Sequence, residues 1–297
     1  MRIRTDRTKV VRQSLKRRDV DTLICLNLDT LRLLGRGGRP HQPPHPARLR
    51  DAYLAYALPL GWKRMTEHDT DLTVGYLRAL ERTGLTPGTI NARRSAARAL
   101  HRALRWAGVL QADPFGDTPR VADPTDPWSR RDAYTREDIA APMAVADPDE
   151  QLMLLLGAHG ALRMSEMLSL TWDRVELDRR RMTVTGKGRK TARAHLSGPV
   201  HAALTDVPED SRTGYVLPWR SPKSIRMLLR ALCTLAGVTY ERRQVHGLRH
   251  AAATMLLEQT GDIYIVSRHL RHSTVGTTQV YAKMRPERLT EALDDWE

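Results

Sequence analysis

HGLRHAAATMLLEQTGDIYIVSRHLRHSTVGTTQVYAKM, residues 246–284, gathers several chemically capable side chains into a short run of predicted helices. Leu248–Leu257 is apolar at helical spacing, and Gly261 marks its stop. His246 and Arg249 are one helical turn apart, so both can face the same point. Two shorter helices are expected near Ile263–Leu270 and Thr277–Met284. His272 lies between them, with Ser273 able to cap the second, and Tyr281 lies within the last. Each residue also admits an ordinary role: a helix-start cap, a surface arginine, a half-buried core tyrosine.

Upstream, Ser221-Pro222 predicts the start of a helix that runs to about Ala236, with Gly237 as its stop. Arg181–Thr185 and Thr191–Leu196 read as strands around a Gly186-Lys187-Gly188 hairpin tip, where Lys187 is equally an exposed hairpin lysine. Before them, ALRMSEMLSLTWDRVEL (161–177) places Arg163 where the apolar helix Glu150–Ala158 meets a turn. Glu166 follows three residues later and can pair with it. Thr135 and Asp138 suggest a capping box that opens this half of the chain.

Two Gly- and Pro-rich breaks divide the 297 residues, GRGGRPHQPPHP (35–46) and DPFGDTPRVADPTDP (113–127). The organisation expected is a basic extension of unassigned role at 1–40, a helical domain at 41–121, a linker at 122–130 and a second domain at 131–297. Within the helical block, Thr86-Pro87 opens a helix that Gly108 ends. Ile90, Ala97, Leu100 and Leu104 form its apolar face, and Arg94, Arg98, Arg102 and Arg105 a neighbouring stripe. That stripe is either a solvated face or a row of phosphate contacts. Segments Arg48–Leu58 and Thr70–Arg82 also read as helices.

The formal net charge is +14. Residues 1–131 carry 25 Lys and Arg against 13 Asp and Glu, whereas residues 132–297 carry 23 against 21. Such a balance favours a polyanionic partner, nucleic acid ahead of an acidic membrane surface. No apolar run reaches bilayer-spanning length, and the basic N-terminus lacks a signal-peptide core. Cys25 and Cys233 supply neither a disulfide framework nor a four-ligand metal site, which suits a reducing cytoplasm. No carboxylate cluster for paired metal ions and no Walker-type loop is present.

The order Arg163, Lys187, His246-x-x-Arg249, His272 and, nine residues on, Tyr281 resembles the signature of the tyrosine recombinase, or phage integrase, family. The likeness is dense over 150–285, weaker over 47–121, where LTPGTINARRSAARALHRALRWAGVLQADPF (85–115) resembles the family's core-binding helices, and absent over 1–40. It implies a mainly α, two-domain DNA clamp, with a helical core-binding domain and a catalytic domain carrying a small antiparallel sheet. It also implies a homotetramer on paired, specific sites in double-stranded DNA, needing no cofactor.

Residue by residue, the resemblance makes Tyr281 the nucleophile, Lys187 the acid for the leaving 5′ oxygen and Glu166 the group that orients a neighbouring basic residue. The chemistry suits those types. A phenol with a pKa of ~10 is ionised in roughly one molecule per thousand at neutral pH, so Tyr281 needs a nearby proton acceptor, which His246 fits. Arg163 and Arg249 offer forked donors to the phosphoryl oxygens, and His272 adds another. Two positions depart from the family pattern. Ala161 and Arg271 stand where glycine is usual, and Arg271 is read as either a phosphate contact or solvent-facing. A type IB topoisomerase, a non-catalytic DNA-binding regulator and a membrane-surface protein are the competing readings. The C-terminal run RPERLTEALDDWE (285–297) predicts a short helix with Leu289, Ala292, Leu293 and Trp296 on one face. It would pack on its own domain or on an adjacent subunit.

Overall fold

The computed structural model describes residues 2–33, 50, 53, 70–111, 113–125, 132–186, 191–241, 243–272 and 274–278. Two compact units divide the chain, Met1–Pro124 and Thr125–Glu297. No described helix is long and apolar enough to cross a membrane.

In the first unit, α1 (Arg2–Arg17) and α2 (Val20–Leu33) pack with α3 (Thr70–Arg82) and α4 (Pro87–Trp106). Thr86 caps α4 by accepting from the Thr89 amide, with Pro87 in the first turn. The apolar face of α4, Ile90, Ala97, Leu100 and Leu104, is fully buried against Val11, Leu15, Leu23 and Ile24. Residues 2–33, expected to stand apart from the helical domain, therefore contribute two helices to its core. Thr8 donates its hydroxyl to the Ala107 carbonyl at 2.6 Å, satisfying the C-terminal end of α4. The Arg7 guanidinium lies 3.7 Å from the centre of the Trp106 ring. The extended segment after α4 is held at three points. The Asn91 side chain donates to the Val121 carbonyl at 2.8 Å and accepts from its amide at 3.0 Å. Thr73 donates to the Pro114 carbonyl, and Arg94 donates to Thr118.

The second unit is mainly helical around a small antiparallel sheet. Its helices are α5 (Arg136–Val145), α6 (Pro148–Ala158), α7 (Met164–Ser169), α8 (Gly198–Thr205), α9 (Pro222–Leu235), α10 (Gln244–Thr260) and α11 (Ile263–His269). Strands β1 (Val175–Glu176), β2 (Arg181–Thr185) and β3 (Thr191–His195) lie in that order. Met182 pairs with Ala194 and Val184 with Ala192, which puts one sheet face on the core. Capping boxes open α5 (Thr135 with Asp138) and α6 (Asp147 with Glu150). Ser221 caps α9, and Gly261, at φ 68°, ends α10. Segment Arg48–Leu58, apart from residues 50 and 53, lies outside the described residues, as does the helix expected from Thr277 to Met284 beyond Thr278.

Helix α6 is the pillar of this unit. Leu152 through Leu156, Gly157 and Ala158 are all buried, because α8 and α10 cover it from different sides. A Cβ on Gly157 would lie 2.8 Å from Leu248 Cδ1 and 2.9 Å from its Cβ, so glycine is what lets α10 approach. Gly247 plays the same part against the Tyr134 ring, 2.9 Å from where a Cβ would stand. These two contacts set the depth at which α10 carries His246 and Arg249.

Gly157→Ala should therefore destabilise the protein despite gaining up to about 1 kcal/mol of helix propensity. The clash with Leu248 costs about 1–3 kcal/mol as overpacking. Urea denaturation should show a lowered midpoint, and adding Leu248→Ala should not lower it by the full cost of a second, independent core change. A Gly157→Ala protein as stable as its parent would show that the helices can separate freely.

Candidate active site

The turn between α6 and α7 shapes the site. The Gly160 amide donates to the Leu155 carbonyl and the Leu162 amide to that of Leu156, closing the end of α6. Between them Ala161 takes φ 50°, the left-handed region that costs a residue with a Cβ about 1–2 kcal/mol. Arg163 then stands immediately before α7. Its backbone amide donates to Glu166 Oε2 at 2.9 Å, and its Nη1 donates to Oε1 at 2.8 Å. The Arg163 side chain is 39% exposed, whereas that of Glu166 is 2% exposed. The arginine thus leans on a buried carboxylate while part of its side chain reaches solvent.

Arg249, on the buried face of α10, is 1% exposed. Its Nη1 donates to the Ala161 carbonyl and its Nη2 to the Leu270 carbonyl. His246, one turn earlier, is exposed, and its ring meets that of His250 edge-on at 4.6 Å. The segment after α11 is pinned to the same turn. His269 Nε2 lies 2.8 Å from the His159 carbonyl. Arg271, itself at φ 54°, donates to the carbonyls of His269 at 2.9 Å and Ala161 at 2.8 Å, and to Glu166 Oε2 at 3.0 Å. Its side chain is 6% exposed. Arg271 therefore points neither to solvent nor outward as a phosphate contact, the two roles its sequence position suggests. It is folded back because a buried carboxylate and a row of turn carbonyls lie within its reach.

Burial alone would raise the Glu166 carboxyl, but the Arg163 amide and the charges of Arg271 and Arg163 hold it below the usual carboxylate range. His272 Nδ1 lies 2.8 Å from Thr278 Oγ1. Burial, followed by the charges of Arg249, Arg163 and Arg271, pushes the His272 pKa down to about 4. The same field shows that these groups share one locality. A neutral imidazole has one donor and one acceptor nitrogen at neutral pH.

Lys187, between β2 and β3, and Tyr281 lie outside the described residues, as does the segment 285–297. A cavity of about 660 Å³ nearby is lined by Arg136, Arg193, His195 and Arg268, with His159 and His269. Among the described residues, none of the proposed catalytic side chains lines it. Among the described residues, no group of three or more His, Cys, Asp or Glu could hold a metal ion.

The four arginines of α4 do not form one equivalent row. Arg94 is buried, and donates from Nε to Thr118 Oγ1 at 3.3 Å and from Nη2 to the Thr118 carbonyl. It staples the following segment, so the side chain expected among the phosphate contacts is committed inside its own unit in this structure. Arg105 pairs with Asp113 at 2.9 Å. Arg98 lies 4.0 Å from the same carboxylate with 48% of its side chain exposed, and Arg102 is exposed.

Residues 135–288 match the phage integrase family. The chain is 29% identical over 247 residues to tyrosine recombinase XerD of Caulobacter vibrioides, covering 75% of this chain and 80% of that one. It is 30% identical over 260 residues to tyrosine recombinase XerC of Alcanivorax borkumensis, covering 78% and 80%. In fold it is similar to XerH site-specific recombinase bound to palindromic difH substrate, with TM-score 0.59, 17% identity and 82% and 79% coverage. It is also similar to the Tn1549 transposon integrase in complex with transposon right end DNA, with TM-score 0.62, 16% identity and 91% and 98% coverage.

In DNA-free protein the His272 ring should titrate with a midpoint near the depressed value of about 4, and Arg249→Ala should raise it. Because the folded pKa lies below the ordinary 6.5, the unfolded chain binds the proton first. Stability is therefore lost as pH falls through the window from 6.5 towards 4. Burial depresses His101 to about 4 as well, so the first unit should weaken in the same window. Ring-proton NMR titration measures both groups, and an ordinary midpoint for His272 in the parent would show that the arginine field does not reach it.

Proposed function

The chain belongs to the phage integrase family and is a tyrosine site-specific recombinase, and we propose that it cuts and rejoins double-stranded DNA through a 3′-phosphotyrosine link on Tyr281. The observation that carries this reading is the gathering of Arg163, Arg249 and His272 at one strained turn, on elements in the chain order of the signature. A phosphodiester needs its developing equatorial charge stabilised, and forked guanidinium donors match those oxygens.

In this scheme the Tyr281 oxygen attacks phosphorus and the bond to the 5′ oxygen breaks. The phenolic proton passes to His246, and Lys187 donates a proton to the departing 5′ oxygen. Rejoining runs the same steps backwards, with the bond energy held in the phosphotyrosine, so no ATP is required, and the arginine charges do the electrostatic work that a metal ion would otherwise do. Arg163 and Arg249 bind the non-bridging oxygens. In this scheme the Thr278 hydroxyl is the donor to Nδ1, so that neutral His272 carries its proton on Nε2 and offers it to the same oxygens. Glu166 holds Arg163 in place.

The partner proposed is DNA carrying specific recombination sites, bound in the cytoplasm. The helical residues 41–121, joined by the helices of 2–33, and the catalytic residues 131–297 would grip it as a clamp, in a homotetramer on paired sites. Exposed Arg98 and Arg102 are the proposed phosphate contacts of α4. The solved complexes of similar fold, recombinases bound to DNA, support this reading.

Tyr281→Phe should abolish covalent capture of a nicked suicide substrate on a denaturing gel while site binding survives. A shifted band persisting in that variant would place the nucleophile elsewhere. Arg98→Ala with Arg102→Ala should flatten the salt dependence of DNA affinity, by ~0.9 in the log–log slope for each phosphate no longer neutralised. Arg94→Ala should instead lower the stability of the helical unit by about 1–3 kcal/mol, the cost of orphaned buried hydrogen-bonding groups. A slope unchanged in the double variant would make those two arginines a solvated face.

A further inference from the structure

We propose that Arg271 is a positioning residue for strand cleavage, a brace that joins the two phosphate-binding arginines by sharing one acceptor with each. This rests on the assignment of Arg163 and Arg249 to the phosphate. The Ala161 carbonyl receives Arg249 and Arg271. The Glu166 carboxylate receives Arg163 and Arg271. One guanidinium thus touches both groups on which the other two rest.

The backbone shows how strongly this arrangement is held. Ala161 and Arg271 both occupy left-handed φ, at 50° and 54°, and they contact each other through the Arg271 bond to the Ala161 carbonyl. Such strain persists only where surrounding contacts over-determine it. Here part of the over-determination is supplied by the side chain of one strained residue, through its bonds to Glu166, Ala161 and His269, beside the Arg249 bond to the Ala161 carbonyl. Glycine at 271 would relax the backbone and remove those bonds.

Charge gives the brace its chemical consequence. Arg163 and Glu166 alone sum to zero, so a buried carboxylate would cancel the field that Arg163 presents to a phosphate. Adding Arg271 makes the group net positive, and the second guanidinium takes up part of the carboxylate's demand on Oε2. Arg163 is then held by Glu166 without being neutralised by it. The Arg271 fork also matters geometrically. A lysine could reach Glu166 as a point charge, but could not span Glu166, Ala161 and His269 together.

The test compares Arg271→Gly, Arg271→Lys and Arg271→Gly with Glu166→Gln in the full chain. Single-turnover cleavage of a nicked suicide substrate is measured at saturating protein, beside gel-shift affinity and thermal melting. Arg271→Gly should cleave roughly ten- to a hundred-fold more slowly, the scale of a small misplacement of reacting groups, with affinity almost unchanged. Arg271→Lys should recover part of the rate. Removing the uncompensated charge with Glu166→Gln should recover part of it in the glycine background. Parental cleavage by Arg271→Gly overturns the brace, and so does a loss of rate, affinity and melting temperature together that neither second variant relieves. NMR relaxation of the Arg163 Nε–H group in DNA-free protein reads the brace without chemistry. It should be ordered in the parent and markedly looser in Arg271→Gly, and equal order in both again overturns the proposal. A parent that forms no covalent complex would instead defeat the Tyr281 assignment, leaving the relaxation result to decide on Arg271.

Discussion

The backbone carbonyl of Ala161 accepts from Arg249 on α10 and from Arg271 beyond α11, so one peptide group joins three parts of the catalytic unit. For its oxygen to face both arginines the chain must turn sharply after α6, and Ala161 makes that turn in the left-handed region. The same turn presents Arg163 at the start of α7. Behind it, Gly157 admits Leu248, and this close approach places Arg249 within reach of the carbonyl. Packing depth, backbone strain and the direction of two guanidinium groups therefore form one coupled constraint. A change to any of them would be felt by the others.

The electrostatics follow from the same crowding. Among the described residues, three guanidinium groups and the Glu166 carboxylate meet around this turn, and Glu166 is ionised there because two of the arginines and a backbone amide outweigh its burial. Burial, and after it the excess positive charge, lowers the proton affinity of His272. Among the described residues, the DNA-free site is thus short of negative charge. An incoming phosphate would supply what the fold leaves out, which is the condition for stabilising an anion that gains charge as it reacts.

Local signals are legible in the sequence. Thr86, Thr135 and Ser221 cap the helices they are expected to cap, because a cap and its partner lie three residues apart. Strands β2 and β3 are visible for a similar reason, their alternation being set within five residues. What the sequence hides depends on partners far along the chain. Arg94 looks the same as Arg98 in the helix, and only the Thr118 contact, 24 residues away, distinguishes them. Arg271 stands out as a departure from glycine, but its partners at 160–166 lie more than a hundred residues upstream. The helices of 2–33 carry a readable signal in Val11, Leu15, Val20, Leu23 and Ile24, at helical spacing. Their many basic residues mask it, because a charged face and an apolar face share the same short stretch.

Net charge is consequently a blunt guide. The basic excess of residues 1–131 includes arginines that hold the protein together, Arg94 on Thr118 and Arg105 on Asp113. The near-neutral count of residues 132–297 hides a dense local positive field at Arg163, Arg249 and Arg271. A buried guanidinium that donates to carbonyls keeps its full charge while losing its freedom, so it contributes to the potential before any phosphate arrives. Arg249 and Arg271 belong to that kind in the DNA-free protein, whereas Arg163 and Arg102 keep exposed surface. Sorting arginines by what their nitrogens already bind, rather than by number, separates Arg94, committed to Thr118, from the exposed Arg98 and Arg102 on the same helix.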